Sequence, residues 1–262
     1  KQDLERAIAD RAEVVQQKLM AQLHHLGCSM HEIGGFVTST RKRHSEQSGI
    51  SLAYLLSPEF LELAQEKSGK EDPTFYDLKD CFFFGDNTIG KDHDCPRDGL
   101  KGVALVDALE KHQRGQCTHF LSWTWGYNVS TVRGALQQWL DGMGDDGNAD
   151  EIFLFMCFFV NNQYRILVNQ KTIGAAELEH VFEENLKRIG KVVAILDTWD
   201  NPRYLTRIWT IFEQVVAIKL NVPVTMVLPA DASRSCLDEF ENGKAGILRV
   251  KNSLTKVGRR PD

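Results

Sequence analysis

At 262 residues the chain is long enough for one large domain, or for a core domain with an appendage. A hydrophobic share of 42% and a charged share of 26% are those of an ordinary globular protein, and a formal net charge of -5 excludes the basic bias of a general nucleic-acid binder. Six cysteines without a C-x-x-C pair exclude a disulfide framework; they read as reduced thiols, which points to the cytoplasm or an organelle interior.

In chain order, Leu4, Ile8, Val15, Leu19, Leu23 and Leu26 recur near the helical period, which predicts one helix over residues 3–30, ended by Gly34-Gly35. Residues 38–49 are polar and basic and read as a loop. Their cluster Arg41-Lys-Arg-His44 is either a solvated run or an anion contact. Ser57-Pro58-Glu59 has the cap and first-turn proline of a helix over 57–67. Residues 68–102 are rich in Gly, Asp, Lys and Pro. They read as irregular structure, packed on a domain through Cys81-Phe-Phe-Phe84.

From residue 117 the character changes. Residues 118–123 read as a short strand, and Asn128 or Ser130 caps a helix that runs to Leu140. Residues 152–160 form a continuous apolar run, the mark of a strand buried on both faces and too short to cross a bilayer as a helix. An amphipathic helix over 175–189, a strand over 192–196, a helix over 204–220 and a strand over 222–228 follow. A short helix over 235–242 and a fifth, weaker strand over 247–250 close the pattern. Alternating strands and helices predict a parallel five-stranded sheet with helices on both faces, residues 117–262, preceded by a mainly helical and irregular region, residues 1–116. No transmembrane segment is expected; because the chain begins at Lys1, a removed targeting peptide is left open.

In a parallel sheet the C-terminal strand ends share one rim, where ligands bind. Ser122, Trp123 and Trp125 follow the first predicted strand, Asn161 and Asn162 the second, and Asp197 the third; Thr206 and Trp209 belong to the next helix. Aromatic walls, amides and a carboxylate suit a planar heterocycle joined to a sugar. Each of these residues is also an ordinary turn, cap or gap filler, the asparagines most of all. Glu213 lies four residues after Trp209, at the border of the predicted buried face. It is either a desolvated functional carboxylate or half of a structural ion pair with Arg207 or Lys219. Neither a P-loop nor a G-x-G-x-x-G fingerprint occurs. His24, His25, Cys28 and His31 share a helical spacing, but without a second ligand pair they read as helix surface, and no metal is expected.

Thr118-His-Phe-Leu-Ser122-Trp123, the run Tyr204-x-Thr206-x-x-Trp209-x-x-x-Glu213 after an apolar strand, and Pro223-Val-Thr-Met-Val-Leu-Pro229 together resemble a Toll/interleukin-1 receptor (TIR) domain of the plant type. The resemblance covers residues 117–231 and implies a flavodoxin-like sheet. It also implies either cleavage of the nicotinamide–ribose bond of NAD+, by hydrolysis or cyclisation, or a non-catalytic role in assembling signalling complexes. NAD would be substrate and no cofactor would be bound; protein partners or self-association are implied. Glu213 matches the catalytic glutamate, and Ser122 and Trp123 match the groups after the first strand. Thr210 stands where plant-type domains carry Cys, and Asp197 where a Ser is usual. A nucleoside deoxyribosyltransferase-like enzyme is the further reading, with related glycosyl chemistry.

Overall fold

The computed structural model describes residues 1–84, 88–168 and 175–256. Three helices open the chain, α1 (Gln2–Ala9), α2 (Glu13–His25) and α3 (Met30–Gln47), where one was expected. The breaks are local: Arg11 takes φ 51° and Gly27 φ 95°, and Ser29 forms a reciprocal capping box with Glu32 that starts α3. Gly34 and Gly35 do not end a helix. They lie inside α3, held there because Ile33, Val37 and Thr40 are buried, so packing outweighs the cost of about 1 kcal/mol per glycine.

The expected loop at 38–49 is instead the end of α3 and a strand, β1 (Ser48–Ser51). All four β1 residues are buried. Its small residues allow it to insert between neighbours: a side chain at Gly49 would lie 2.7 Å from the Leu154 carbonyl oxygen and 2.8 Å from Cys117 Sγ. Then come α4 (Leu52–Leu56) and α5 (Pro58–Ser68), the latter capped by Ser57 and closed by Gly69 in the left-handed conformation. The expected irregular segment contains α6 (Phe75–Phe83), started by a Thr74–Asp77 capping box, and α7 (Leu105–Ala108) follows it. Phe82 and Phe83 enter the core, whereas Phe84 is exposed.

Next come β2 (Arg114–Gln116), β3 (His119–Ser122), α8 (Val129–Asp141), β4 (Phe153–Phe155), α9 (Cys157–Val160), α10 (Ala175–Ile189), β5 (Val192–Ile195), α11 (Ile208–Lys219), β6 (Val224–Val227), α12 (Ala230–Glu241) and α13 (Gly243–Lys256). The apolar run 152–160 is therefore not one strand. It turns helical at Cys157 and buries Phe158, Phe159 and Val160 in the core, an ambiguity that hydrophobicity alone does not resolve. Residues 247–250 are likewise helix, within α13. The helix expected over 204–220 is split into a 3-10 turn, Arg203–Thr206, and α11. Residues 169–174, between the apolar run and the amphipathic helix, lie outside the described residues.

The protein is α/β, but its sheet is mixed and six-stranded, in the order β2-β1-β4-β3-β5-β6. Strands β4, β3, β5 and β6 are parallel, whereas β1 pairs antiparallel with both β2 and β4. The correction to a purely parallel sheet arises because β1 and β2 carry no apolar alternation that marks a strand. Side chains alternate across the sheet. Leu121, Leu154, Val193 and Ile195 pack with α4, α5, α6 and α8 on one face; Phe120, Phe155 and Val192 pack with α10 and α11 on the other. No helix among the described residues is long and apolar enough to cross a membrane.

Candidate active site

From β3 the chain moves outward to β4, then returns across β3 to β5 and β6. The reversal leaves a switch point at the C-terminal ends of β3 and β5, where open α/β sheets hold ligands. Ser122 ends β3 there, paired with Ala194 of β5, and its side chain is fully buried.

Three elements converge on Ser122. Its hydroxyl donates to Glu213 Oε2 of α11 in a short hydrogen bond and lies 2.6 Å from the Tyr204 hydroxyl. Gln214 Nε2 donates to that same Tyr204 hydroxyl at 2.5 Å. Each hydroxyl has one proton, so the directions are fixed once Glu213 is ionised: Gln214 donates to Tyr204, Tyr204 to Ser122, and Ser122 to the carboxylate. Tyr204 is fully buried, packed by Ala194 and Leu196.

Arg207 is the extended residue between the 3-10 turn and α11. The break is tied by Thr210, whose buried hydroxyl donates to the carbonyls of Tyr204 and Arg207. This start turns Thr210, Glu213, Val216 and Ala217 inward and leaves Ile208, Ile211, Val215 and Ile218 exposed. The isoleucine stripe thus faces solvent and the carboxylate faces the sheet.

Glu213 keeps some solvent contact as a residue, but its carboxyl is desolvated. Burial pushes it up to about 8, against the Ser122 hydrogen bond and the Arg207 charge, which both pull it down. No ion pair reaches Glu213 among the described residues; Lys219 lies 4.0 Å from Glu183 instead. Arg207 donates to the Tyr76 hydroxyl at 2.6 Å and to Thr124 Oγ1 at 3.1 Å. Cys157, at the start of α9, completes the cluster. Burial pushes its thiol up to about 11; the Trp125 side chain hydrogen-bonds the sulfur and opposes this, while the Glu213 charge adds to it. The thiol therefore stays protonated at neutral pH and is a poor nucleophile.

Of the expected site residues, Ser122, Trp125 and Glu213 come together here. Trp123 points into the core, its ring 4.3 Å from that of Phe75. Asp197 is engaged by the Arg203 backbone N–H at 3.0 Å and lies 3.5 Å from the Arg203 guanidinium. Asn162 donates to the Gly102 carbonyl at 2.9 Å and accepts from the Arg165 N–H at 3.1 Å. Asn161 follows α9, and its backbone N–H closes that turn onto the Cys157 carbonyl. Thr206 is exposed and donates to the Arg203 carbonyl, and Trp209 is exposed against Phe212. Sequence reasoning missed Tyr204, Gln214, Arg207 and Cys157 as site members. The signal available was position: Tyr204 and Arg207 stand inside the aromatic–carboxylate motif itself. Among the described residues, no group of three His, Cys, Asp or Glu is placed to share a metal ion.

A cleft of about 630 Å³ lies elsewhere, between α1, α2, α3, β2 and residues 92–107. No family model, no curated protein and no solved structure matches this chain.

Proposed function

We propose that the chain is a TIR-like hydrolase that cleaves the N-glycosidic bond between ribose and a cationic base, with NAD+ as substrate. The observation that carries this reading is the Glu213 carboxyl, desolvated and hydrogen-bonded to Ser122 at the switch point. The order of the parallel strands, second-first-third-fourth along the chain, supports the flavodoxin-like reading of this half of the fold.

The chemistry asks for little else. The ribose–nitrogen bond breaks with its electron pair leaving on the base, which departs neutral, so no general acid is needed. The sugar becomes oxocarbenium-like, and a carboxylate beside it stabilises that charge. Water adds to the sugar carbon and gives up a proton. Burial keeps Glu213 largely protonated at neutral pH; a cationic ring beside it favours the ionised form. Ser122 is too buried to attack a substrate and instead holds the carboxylate by its hydrogen bond. Half-buried Trp125 supplies an aromatic wall. The test is nicotinamide release from NAD+: Glu213→Ala should lower kcat/KM by about 10²- to 10³-fold, and equal rates in wild type and variant would remove Glu213 from the mechanism.

One observation favours a second reading, a non-catalytic assembly module: the outward apolar stripe of α11, with Ile208 71% and Ile218 73% exposed. It predicts a mass that rises with concentration in light scattering, returns to monomer in Ile208→Ser/Ile218→Ser, and is accompanied by no NAD+ turnover at any concentration.

A further inference from the structure

The basic run at Arg41–His44 proves to be the last turns of α3, and Arg41, His44 and Ser45 line the 630 Å³ cleft. That volume falls within the range of small-molecule sites, about 300–1,000 Å³. The cleft lies by the β2 edge of the sheet, away from the β3–β5 switch point.

Its floor is rich in guanidinium groups that find mostly neutral partners. Arg11 donates to the carbonyl oxygens of Asp107 and Leu109, at 2.5 and 3.4 Å. Arg41 donates to Gln16 Oε1 at 2.9 Å. Arg97, behind Ser45, donates to Ser45 Oγ at 2.7 Å and to the Val160 carbonyl at 2.6 Å. Arg114 lies 3.8 Å from Asp107 Oδ1, beyond hydrogen-bond reach, and its buried Nε has no hydrogen-bond partner. Arg97 lies behind the lining; Arg11 and Arg41 reach the cleft from exposed positions, and Arg114 faces Asp107, the one buried carboxylate among them. At the rim Lys101 is paired with Asp94 at 2.9 Å, and Asp92 and Glu13 are exposed and screened by solvent. Burial pushes Arg114 down to about 10, Arg11 adds repulsion, and Asp107 only partly offsets the two.

The floor also lacks hydrogen bonds in both senses. Asp107 is 6% exposed. Its Oδ2 accepts from Ser45 Oγ at 2.7 Å, but its buried Oδ1 accepts no hydrogen bond. The buried Nε2 of His44, also on the lining, has no hydrogen-bond partner either. Three of the seven such buried side-chain atoms among the described residues therefore belong to this one cleft, where an unmade bond is destabilising. Arg11 reaches the floor from a backbone with φ 51°, a conformation uncommon outside glycine.

A ligand that satisfies this floor brings an anion for the guanidiniums and a donor for Asp107. Three guanidiniums reach this lining with mostly neutral partners, and a phosphate offers them several acceptor oxygens where a carboxylate offers two. We propose that the cleft is a binding site for a phosphorylated sugar, free or as part of a nucleotide, with phosphate held by Arg114, Arg11 and Arg41 and a sugar hydroxyl donating to Asp107. The site is separate from Glu213.

Calorimetric titration of the whole chain with ribose 5-phosphate, inorganic phosphate and ribose tests this. Ribose 5-phosphate should bind saturably and at least about tenfold more tightly than phosphate, each tenfold being 1.4 kcal/mol, and ribose should not bind. Arg114→Gln should abolish binding. Arg41→Ala, at an exposed position, should weaken it by about tenfold, and Glu213→Ala should leave it unchanged. The proposal is overturned by no saturable heat up to about 10 mM, by wild-type affinity in Arg41→Ala, or by loss of binding in Glu213→Ala. Equal affinity for phosphate and ribose 5-phosphate overturns the role of Asp107.

Discussion

The two polar centres of this chain are unbalanced in opposite directions. At the β3–β5 switch point a single carboxylate, Glu213, is drawn out of water with the neutral Ser122 hydroxyl as its direct partner and one cation, Arg207, acting at a distance. At the β2 edge the guanidiniums of Arg11, Arg41 and Arg114 line a cleft whose one buried carboxylate is Asp107. The first centre is poised for a positive charge that develops in, or arrives with, a ligand; the second is poised for a permanent anion. Charge that folding leaves uncompensated is energetically costly in either sense. The difference teaches what kind of partner each centre lacks: a carboxylate can hold a proton in the meantime, as Glu213 does, whereas guanidiniums stay charged and call for a bound anion.

The comparison breaks most readily at Glu213, because a protonated buried carboxyl leaves a signature in stability. Its folded value, about 8, lies above the ordinary glutamate value, so the folded state binds the proton more tightly than the unfolded chain does. The sign follows: this group destabilises progressively as pH rises from about 4.5 to 8, with no further loss above 8 and none below 4.5. Chemical denaturation across that window should show wild type losing stability relative to Glu213→Gln by on the order of 3 kcal/mol, after allowance for partial solvent contact. Parallel curves for the two proteins would show that the carboxyl is ionised throughout, and the contrast with the arginine-rich cleft would collapse.

How much of this was legible in the sequence follows from what each signal measures. Strands β3, β5 and β6 were readable because short apolar or β-branched runs bounded by turn residues have few alternatives. The antiparallel additions β1 and β2 were not, because Ser48-Gly49-Ile50-Ser51 and Arg114-Gly115-Gln116 are defined by what they insert beside rather than by their own pattern. Glu213 was legible as a border residue, and it does face the sheet. The inversion of α11 was not: apolar counting buries Ile208, Ile211 and Val215, but the Arg207 break and the Thr210 hydroxyl bonds fix the rotation of the helix and turn them out. Thr210 is thus part of what aims the carboxylate. The cleft was legible only as a basic run, since its carboxylate and its other guanidiniums come from segments as far apart as Arg11 and Arg114.

The smallest of the expected effects is also the sharpest test of how the switch point is wired. Ser122 donates to the Glu213 carboxylate and so favours its ionised form; burial opposes it and prevails. Removing the hydroxyl in Ser122→Ala takes away the hydrogen bond and leaves the burial, so the carboxyl should rise above its wild-type value by about one unit. If the ionised carboxylate stabilises the reacting sugar, kcat/KM for NAD+ climbs with pH and levels off near 8 in wild type, since this parameter reports the free enzyme. In Ser122→Ala the same climb should level off about one unit higher, with the plateau itself lowered less than by Glu213→Ala. An unmoved midpoint with a lowered plateau would mean that Ser122 packs the strand end without setting the charge of Glu213. The relay from Gln214 through Tyr204 would then end at a hydroxyl that serves the fold rather than the reaction.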